Sequence, residues 1–331
     1  SVPLIDFTVL QVEVLCSLGR SEEARQILNH AIATHCSVPD LCLSAARIDL
    51  PPSHQAPFDH PTLYRLNTLF NNAGLAPLVL ANPNTTPSLD NLVAPEAPPY
   101  RDKQQPRISV LVPARNAEQT IETALRGLMA QTWQNLEILV INDGSIDQTA
   151  ERTTKLANQD SRIRLIQLER SRGAYGARNA GLLEATGELI TTHDSDDWSH
   201  PQRLELLAQE LLAHPELQGV LGHWVRIGTD LRLRRWCMRE RYLHPAVATL
   251  LFRRKVVQRL GRWDNVRAGA DSEFLQRMRT VFGNDCVRFI LSDIPVTLAR
   301  QSPQSLTNTP ETHLRTELYG YRQVYRELYT H

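Results

Sequence analysis

The sequence is poor in features that mark several common classes of protein. Its five cysteines are scattered, odd in number and without a Cys-x-x-Cys pair, so they indicate neither a disulfide framework nor a zinc site and favour a reducing compartment. No run of about 18 apolar residues occurs, as a membrane-spanning helix would need. No signal peptide is evident. We expect a cytoplasmic protein, with peripheral contact at the inner face of the membrane as an alternative.

Net charge is absent too, because Lys+Arg and Asp+Glu both number 36. No overall field would therefore draw the protein to nucleic acid, and we expect no nucleic-acid partner. The balance is local, however: eleven Lys or Arg residues lie between positions 226 and 262, against two acids. Such a basic block suits an anionic ligand or a membrane surface, and a solvated face explains it equally well.

Glycine-rich phosphate loops are also missing. Neither Gly-x-x-x-x-Gly-Lys-Ser/Thr nor Gly-x-Gly-x-x-Gly occurs, which disfavours a P-loop nucleotidase or a Rossmann dehydrogenase. A site for phosphates in this protein would need another source of positive charge, such as a metal ion.

The first 80 residues read as helices, and part of them resembles one tetratricopeptide repeat, a helix-turn-helix unit. The residues that carry this pattern are Leu18, Gly19, Ala24, Leu28, Ala31 and Pro39. We predict a helical appendage over residues 1–80 that docks a protein partner or oligomerises. Six prolines then define a linker over residues 81–106, where we expect no regular element.

From residue 107 the pattern changes to strands alternating with helices. Four buried strands are predicted, "RISVLV", "LEILVI", "RIRLIQL" and "ELITT", with amphipathic helices between them. This alternation predicts an α/β domain over residues 107–309, with a mostly parallel sheet and helices on both faces. Residues 310–331 form a further amphipathic helix, which either packs on this domain or anchors at an interface.

Polar residues follow each of the four strands: Arg115 and Asn116, then residues 142–145, residues 170–173 and residues 193–197. The carboxyl ends of parallel strands share one edge of a sheet, where ligands bind. We therefore expect four loops, far apart in sequence, to meet at one crevice.

The last of these loops, "HDSDDW", crowds Asp194, Asp196 and Asp197 together. Like charges this close repel one another unless a cation lies among them. Carboxylate oxygens with room for substrate phosphates suit Mg²⁺ or Mn²⁺. His244 is a further candidate ligand, although a lone histidine before proline is more often structural.

These motifs resemble family 2 glycosyltransferases, whose fold is called GT-A. The resemblance rests on "SVLVPARNAEQT", "VINDGSIDQT", "GAYGARNAG" and "HDSDDW", and covers about residues 107–300. It implies transfer of a sugar from a nucleotide-diphosphate donor, a UDP-sugar by preference, to a hydroxyl of a glycan or lipid-linked acceptor, with inversion at the anomeric carbon.

The resemblance also implies roles for single residues. Pro113, Asn116 and the unusual Arg115 would line the base pocket, and Asp143 would accept a hydrogen bond from uracil. The remaining nucleotide-sugar contacts would be Arg172, Arg178, Asn179, Asp194 and Ser195. Asp196 would be the direct metal ligand, with Asp194 nearer the donor sugar.

An inverting transfer also needs a carboxylate that takes the proton of the attacking hydroxyl. In "GADSEFLQRM" the resemblance assigns this role to Asp271, with Glu273 supporting the acceptor. The alternative is that Asp271 merely caps a helix. For the chain as a whole, the alternatives are a nucleotidyltransferase on the same type of sheet and a non-catalytic sugar-nucleotide-binding protein.

Overall fold

The computed structural model describes residues 2–34, 38–49, 60–95, 97–101, 105–234, 241–301 and 320–330. The chain divides into two compact units. The helical unit comprises residues 1–97, 223–244 and 291–302, and the sheet unit comprises residues 98–222, 245–290 and 303–331. This division runs differently from the boundaries predicted at residues 80, 106 and 309, which stay predictions.

The helical unit begins with four helices: α1 (Val2–Ser17), α2 (Ser21–Thr34), α3 (Pro39–Asp49) and α4 (Pro61–Asn72). Helix α1 packs on α2 and α3, and α3 packs on α4. Val9, Val12, Leu28 and Leu41 are buried between them, and their burial drives the association. The helical prediction is confirmed for the described part of this segment, while its assignment as a tetratricopeptide repeat stays a prediction.

The proline-rich segment is not wholly irregular. Strands β1 (Val79–Leu80) and β2 (Leu92–Val93) pair antiparallel, and one turn of 3₁₀-helix precedes β2. The expectation of no regular element is therefore wrong here. These short elements lie between prolines rather than on them, so no missing backbone donor interrupts them. The Asn91 side chain closes the connection by accepting from Asn82 N at 2.9 Å and donating to Asn82 O at 2.8 Å.

The helical unit also contains β9 (His223–Ile227), β10 (Leu233–Arg234) and β14 (Pro295–Arg300). The boundary between the units falls within β11 (His244–Pro245), so His244 belongs to the helical unit and Pro245 to the sheet unit. Strand β9 pairs parallel with β14 and antiparallel with β10.

The sheet unit contains eight whole strands within its described residues: β3 (Ile108–Ala114), β4 (Leu136–Asp143), β5 (Ile163–Leu168), β6 (Leu189–Thr192), β7 (Trp198–Ser199), β8 (Gly219–Leu221), β12 (Leu251–Arg253) and β13 (Val287–Phe289). Seven of them form one sheet in the order β13-β8-β12-β6-β3-β4-β5. Strand β12 is antiparallel to both neighbours, and the other pairings are parallel.

Helices cover both faces of this sheet. They are α5 (Ile121–Met129), α6 (Thr149–Ala157), α7 (Gly173–Glu184), α8 (Arg203–Ala213), α9 (Arg254–Leu260) and α10 (Ala270–Phe282), and a last helix, α11 (Tyr321–Thr330), packs on α10. Successive residues of β3 point to opposite faces: Val110 and Val112 join a core with α5 and α8, and Leu111 joins a second core with α7 and α10. The predicted α/β class, with a mostly parallel sheet, is confirmed.

The C-terminal helix packs on the sheet unit through tyrosines. Tyr325 donates its hydroxyl to Asp264 Oδ2 at 2.8 Å, and Tyr321 accepts from Arg267 N at 3.1 Å. The predicted start of this helix near residue 310 lies outside the described residues. None of the helices in the described ranges combines the length and apolarity that crossing a bilayer requires.

Candidate active site

The four predicted loops meet at one edge of the sheet unit. Strands β6, β3, β4 and β5 are consecutive and parallel, so the loops after their carboxyl ends lie side by side. Asn116, after β3, holds the loop after β4: its backbone N donates to Ser145 Oγ at 3.0 Å, and its Oδ1 accepts from Ile146 N at 3.0 Å. With these two hydrogen bonds, the backbone of Asn116 has a left-handed conformation, with a φ of 49°. Its side chain therefore has a structural task beside its predicted base contact.

Asp143 ends β4 and joins it to the loop after β5. Its carboxylate is buried and accepts from Ser171 Oγ at 2.7 Å, Arg172 N at 2.6 Å and Gly173 N at 2.9 Å. Two of these donors are main-chain groups at the start of α7, which a carboxylate stabilises by compensating the helix dipole. Since a carboxylate has about four acceptor positions, one more donor can be accommodated. The predicted bond to uracil stays a prediction.

Buried Arg178 forms an ion pair with half-buried Asp194, which lies on the loop after β6. Arg178 Nη2 lies 2.7 Å from Asp194 Oδ1, and its guanidinium carbon lies 5.2 Å from the centre of the Tyr175 ring. Burial opposes the charge of Arg178, but Asp194, aided by Tyr175 and Asp271, outweighs it, so the pKa of the guanidinium is raised. Arg178 thus orients Asp194 and holds the loop after β6 on α7.

Asp271 lies at the second residue of α10. The capping position belongs to Gly269, whose φ of 93° suits glycine, so the cap-only interpretation of Asp271 is wrong. Asp271 Oδ1 accepts from the Tyr175 hydroxyl at 3.0 Å and from Ser272 N at 2.9 Å. Asp271 also lines a small cavity together with Arg178, Thr192, Val247, Ala248, Leu250, Phe252, Trp263 and Phe274. The candidate base and the arginine that orients Asp194 therefore border one space.

Glu273, two residues after Asp271, forms an ion pair with Arg277. Its oxygens receive Arg277 Nε at 2.8 Å and Nη2 at 2.6 Å, and Arg277 Nη1 donates to Leu260 O at 2.8 Å. This bidentate pair links α10 to the end of α9. Support of the acceptor by Glu273 stays a prediction, beside the structural role that these contacts show.

Asn179 holds the main chain of Trp263 at two points. Its Nδ2 donates to Trp263 O at 2.8 Å, and its Oδ1 accepts from Trp263 N at 3.1 Å. The predicted donor-sugar contact of Asn179 would have to be made beside these bonds. Of the other predicted contacts, Pro113 and Ser195 are half-buried, while Arg115 and Arg172 are exposed.

The predicted metal ligands lie in different parts of the chain. Asp194 and Asp196 are half-buried on the loop after β6, whereas His244 belongs to the helical unit. Over the ranges that the structure describes, no three His, Cys, Asp or Glu side chains are grouped to hold a metal ion. Mg²⁺ commonly takes one or two protein carboxylates and completes its shell with water and phosphate. The two carboxylates of this loop fit that kind of site.

Two basic side chains, His193 and Arg203, are buried behind this loop; the sequence placed His193 at the crevice and did not indicate Arg203. His193 Nδ1 lies 2.8 Å from Asp194 O and Nε2 lies 2.9 Å from Ser199 Oγ. A carbonyl only accepts, so Nδ1 carries the proton and Nε2 accepts from Ser199. Burial, with the charge of Arg203, lowers the pKa of His193 to about 3, and burial lowers that of Arg203 to about 10. Only the apolar run before His193 hinted at such burial.

Two arginines of the basic block donate hydrogen bonds to main-chain carbonyl oxygens. Arg253 donates to Leu217 O at 2.9 Å and to Leu211 O at 2.6 Å, and Arg254 donates to Gly187 O at 2.6 Å. These bonds favour a structural use of both side chains over anion binding. The part of the block at residues 235–240 lies outside the described residues.

Residues 109–276 match the family model described as Glycosyl transferase family 2. The chain belongs to this family. The likeness fits the observed edge of the sheet, because the match begins in β3, ends in α10 and includes every loop described above. The resemblance inferred from the motifs is thereby confirmed at the level of the family.

Two curated relatives show the extent of the similarity. The chain is 36% identical to the glycosyltransferase GlyA of Streptococcus pneumoniae over 33% of its own length and 15% of that protein. It is 40% identical to the UDP-Glc:alpha-D-GlcNAc-diphosphoundecaprenol beta-1,3-glucosyltransferase WfgD of Escherichia coli, over 32% of its length and 41% of WfgD. The chain thus spans less than half of either relative.

A solved structure supports the fold. TarS residues 1–349 of S. aureus, crystallised in complex with UDP-GlcNAc, aligns with a TM-score of 0.50 and 22% identity over 60% of each chain. At this identity the likeness concerns the fold alone, and it agrees with the predicted GT-A architecture.

Proposed function

We propose that this protein is a metal-dependent inverting glycosyltransferase that moves a sugar from a UDP-sugar to a hydroxyl of a glycan or lipid-linked acceptor in surface polysaccharide biosynthesis. The observation that carries the proposal is the continuous set of contacts Asp194–Arg178–Tyr175–Asp271. It joins the loop that would hold the donor diphosphate to the helix that would carry the base. The name of WfgD, with its UDP-Glc donor and diphosphoundecaprenol-linked acceptor, supports the choice of substrates.

The chemistry follows from the placement of the carboxylates. Asp196, with Asp194, would hold Mg²⁺ or Mn²⁺, which when bound stabilises the negative charge of a departing diphosphate. Asp271 would accept the proton of the acceptor hydroxyl while its oxygen attacks the anomeric carbon. As the new bond forms, the bond to UDP breaks on the opposite face and its electron pair leaves with the phosphate oxygen. Attack from that face inverts the configuration.

The first test is calorimetric titration of UDP, with and without Mn²⁺, into the wild type and Asp196→Asn. We expect binding of the wild type in the micromolar range that requires Mn²⁺ and is lost in Asp196→Asn, because the variant removes the charge that would retain the ion. Asp285→Asn is the matched control: Asp285 is exposed and precedes β13, so it lies at the opposite edge of the sheet.

Three other outcomes would change the proposal. Binding of GDP, CDP or dTDP in place of UDP would indicate that the donor carries a different nucleotide. UDP binding without release of UDP from any UDP-sugar, over a wide panel of acceptors, would favour the non-catalytic sugar-nucleotide-binding alternative. Failure to bind every nucleotide would overturn the transferase proposal.

A further inference from the structure

The hydroxyl of Tyr175 lies between two elements of the candidate active site. Tyr175 is on the first turn of α7 and is buried, with 7% of its surface exposed. Its hydroxyl donates to Asp271 Oδ1 at 3.0 Å and accepts from Gly269 N at 3.2 Å. Both capacities of the hydroxyl are therefore used at the start of α10. The resemblance assigns no role to this tyrosine, although it assigns roles to Arg178 and Asn179 in the same motif, "GAYGARNAG".

We propose that Tyr175 is a positioning residue that holds the carboxylate of Asp271 in the orientation needed to receive the acceptor proton. This inference rests on the proposed function, because it presumes that Asp271 is the base. Beyond the proposed function, it predicts that activity requires a phenolic hydroxyl at position 175. This requirement can be distinguished by experiment from a merely structural role.

The pattern of hydrogen bonds on Asp271 supports the proposal. Tyr175 and Ser272 N both donate to Oδ1, from different directions. In the described parts of the chain, no hydrogen bond to Oδ2 accompanies them. Two bonds on one oxygen fix the rotation of the carboxylate and reserve the other oxygen for an incoming hydroxyl. Preorganisation of this kind contributes to catalysis, because a base must lie within hydrogen-bond reach of its proton.

Tyr175 also connects the base to the donor side. Its ring lies against the Arg178 guanidinium, at 5.2 Å, and Arg178 pairs with Asp194 at 2.7 Å. A cation over an aromatic ring is attracted by the ring's quadrupole. Tyr175 thus contacts the candidate base through its hydroxyl and, through its ring, the arginine that pairs with Asp194 on the loop after β6. Loss of the hydroxyl alone should disturb the first contact and keep the second.

The hydroxyl remains a donor over the whole range in which an enzyme is assayed. Burial, followed by the charge of Asp271, raises the pKa of Tyr175 well above its ordinary value of 10.0. The bond to Asp271 is therefore not lost by ionisation of the tyrosine at neutral or mildly alkaline pH.

Tyr175→Phe is the decisive variant, since it removes the hydroxyl and keeps the ring over Arg178. The assay is release of UDP from UDP-glucose, UDP-galactose or UDP-GlcNAc with Mn²⁺ and water as acceptor. In this reaction the water oxygen bonds to the anomeric carbon, a water proton passes to Asp271, and the bond to UDP breaks. We expect kcat to fall about tenfold, the loss expected for a hydrogen bond to a charged group. KM for the donor and the Kd of UDP should stay within about twofold, because the donor side is unchanged.

A double-mutant cycle with Asp271→Asn separates positioning from structure. If Tyr175 acts through Asp271, then Tyr175→Phe should have no further effect on kcat in the Asp271→Asn background. A structural role would instead lower kcat in both backgrounds by the same factor.

Tyr242→Phe is the matched control. Tyr242 is also buried and also donates its hydroxyl to a carboxylate, that of Glu13, but in the helical unit. We expect its kinetics to equal those of the wild type, with a loss of thermal stability like that of Tyr175→Phe.

The possible results distinguish the positioning role of Tyr175 from the proposed function of the protein. An active wild type with an equally active Tyr175→Phe overturns the positioning role and leaves the proposed function intact. A further loss of kcat in the Asp271→Asn background also overturns it. A wild type that binds no nucleotide and releases no UDP overturns the proposed function, and the positioning role with it.

Discussion

Glu273 and Asp271 are two residues apart on α10 but have different surroundings. Asp271 faces Tyr175 and a cavity, whereas Glu273 is paired with Arg277, and only 10% of its side chain is exposed. The motif treats both as acids of one active site. Their separation follows from the helix itself, because residues two apart do not face the same side, while residues four apart do.

This contrast makes Glu273→Gln a test of stability rather than of binding. The substitution removes one charge of a largely buried, bidentate pair and leaves Arg277 with a neutral partner. We expect the free energy of unfolding to fall by about 2 kcal/mol, with UDP affinity unchanged. Urea denaturation and calorimetry would measure these two quantities.

The control for Glu273 is Glu151→Gln, at an exposed position on α6. Surface exchanges of this kind change stability by about 0.5 kcal/mol at most. Equal stability of the two variants would contradict the structural role of the pair. A selective loss of activity in Glu273→Gln would favour its predicted role at the acceptor.

At the scale of elements, the sequence pattern predicts the four main strands well. Runs such as "LEILVI" are buried along their whole length in β4, as expected for a strand covered on both faces. The antiparallel strand β12 is less predictable, because three residues carry no periodicity that distinguishes strand direction. Its direction depends on which neighbours have free backbone groups in the folded sheet.

Two helical glycines allow a test of how tightly their helices pack on the strands beside them. A Cβ on Gly127, in α5, would lie 3.5 Å from Ser199 N, an ordinary contact. A Cβ on Gly181, in α7, would lie 2.5 Å from Ile141 Cδ1 and 2.9 Å from Ile141 Cγ1. Alanine at either position gains helix propensity, but only at Gly181 would it overpack the core.

We therefore expect opposite signs for the same substitution. Gly127→Ala should raise the free energy of unfolding by about 0.5 to 1 kcal/mol. Gly181→Ala should lower it by about 1 kcal/mol, because overpacking outweighs the propensity gain. Urea denaturation of both variants would measure the difference, and stabilisation by Gly181→Ala would contradict the close packing of α7 on β4.

At the scale of the whole molecule, buried His193 makes folding sensitive to acid. Its pKa is lowered from 6.5 to about 3 in the folded state. Between these values the unfolded chain binds a proton that the folded chain does not, so stability falls as pH falls from about 6.5 towards 3. This one group contributes a slope of up to about 1.4 kcal/mol per pH unit within that window.

Urea denaturation at pH 7.5, 6.0 and 5.0 would check this slope. In His193→Gln the titrating group is gone, so the stability deficit of the variant should shrink from pH 7.5 to pH 5.0. His30→Gln, at an exposed position on α2, is the control. A deficit of His193→Gln that is constant over this pH range would contradict the buried, neutral state of the histidine.

The sequence by itself determined the α/β class, the shared edge at which four loops meet, and membership of the family. Each of these depends on consecutive residues: a buried apolar run, the polar group that follows it, or a local motif such as "HDSDDW". Such patterns are visible in the sequence because buried positions recur at short, regular intervals along a strand or a helix.

Only the tertiary structure decided which side chains act on one another. Tyr175 and Asp271 are 96 positions apart, and Arg178 and Asp194 are 16 apart, so no periodicity relates them. Their contacts arise because parallel strands bring distant loops to one edge, and because buried polar atoms must then find partners there. The motifs name the acids and Arg178, whereas the fold adds Tyr175 and shows which acid each of these two side chains contacts.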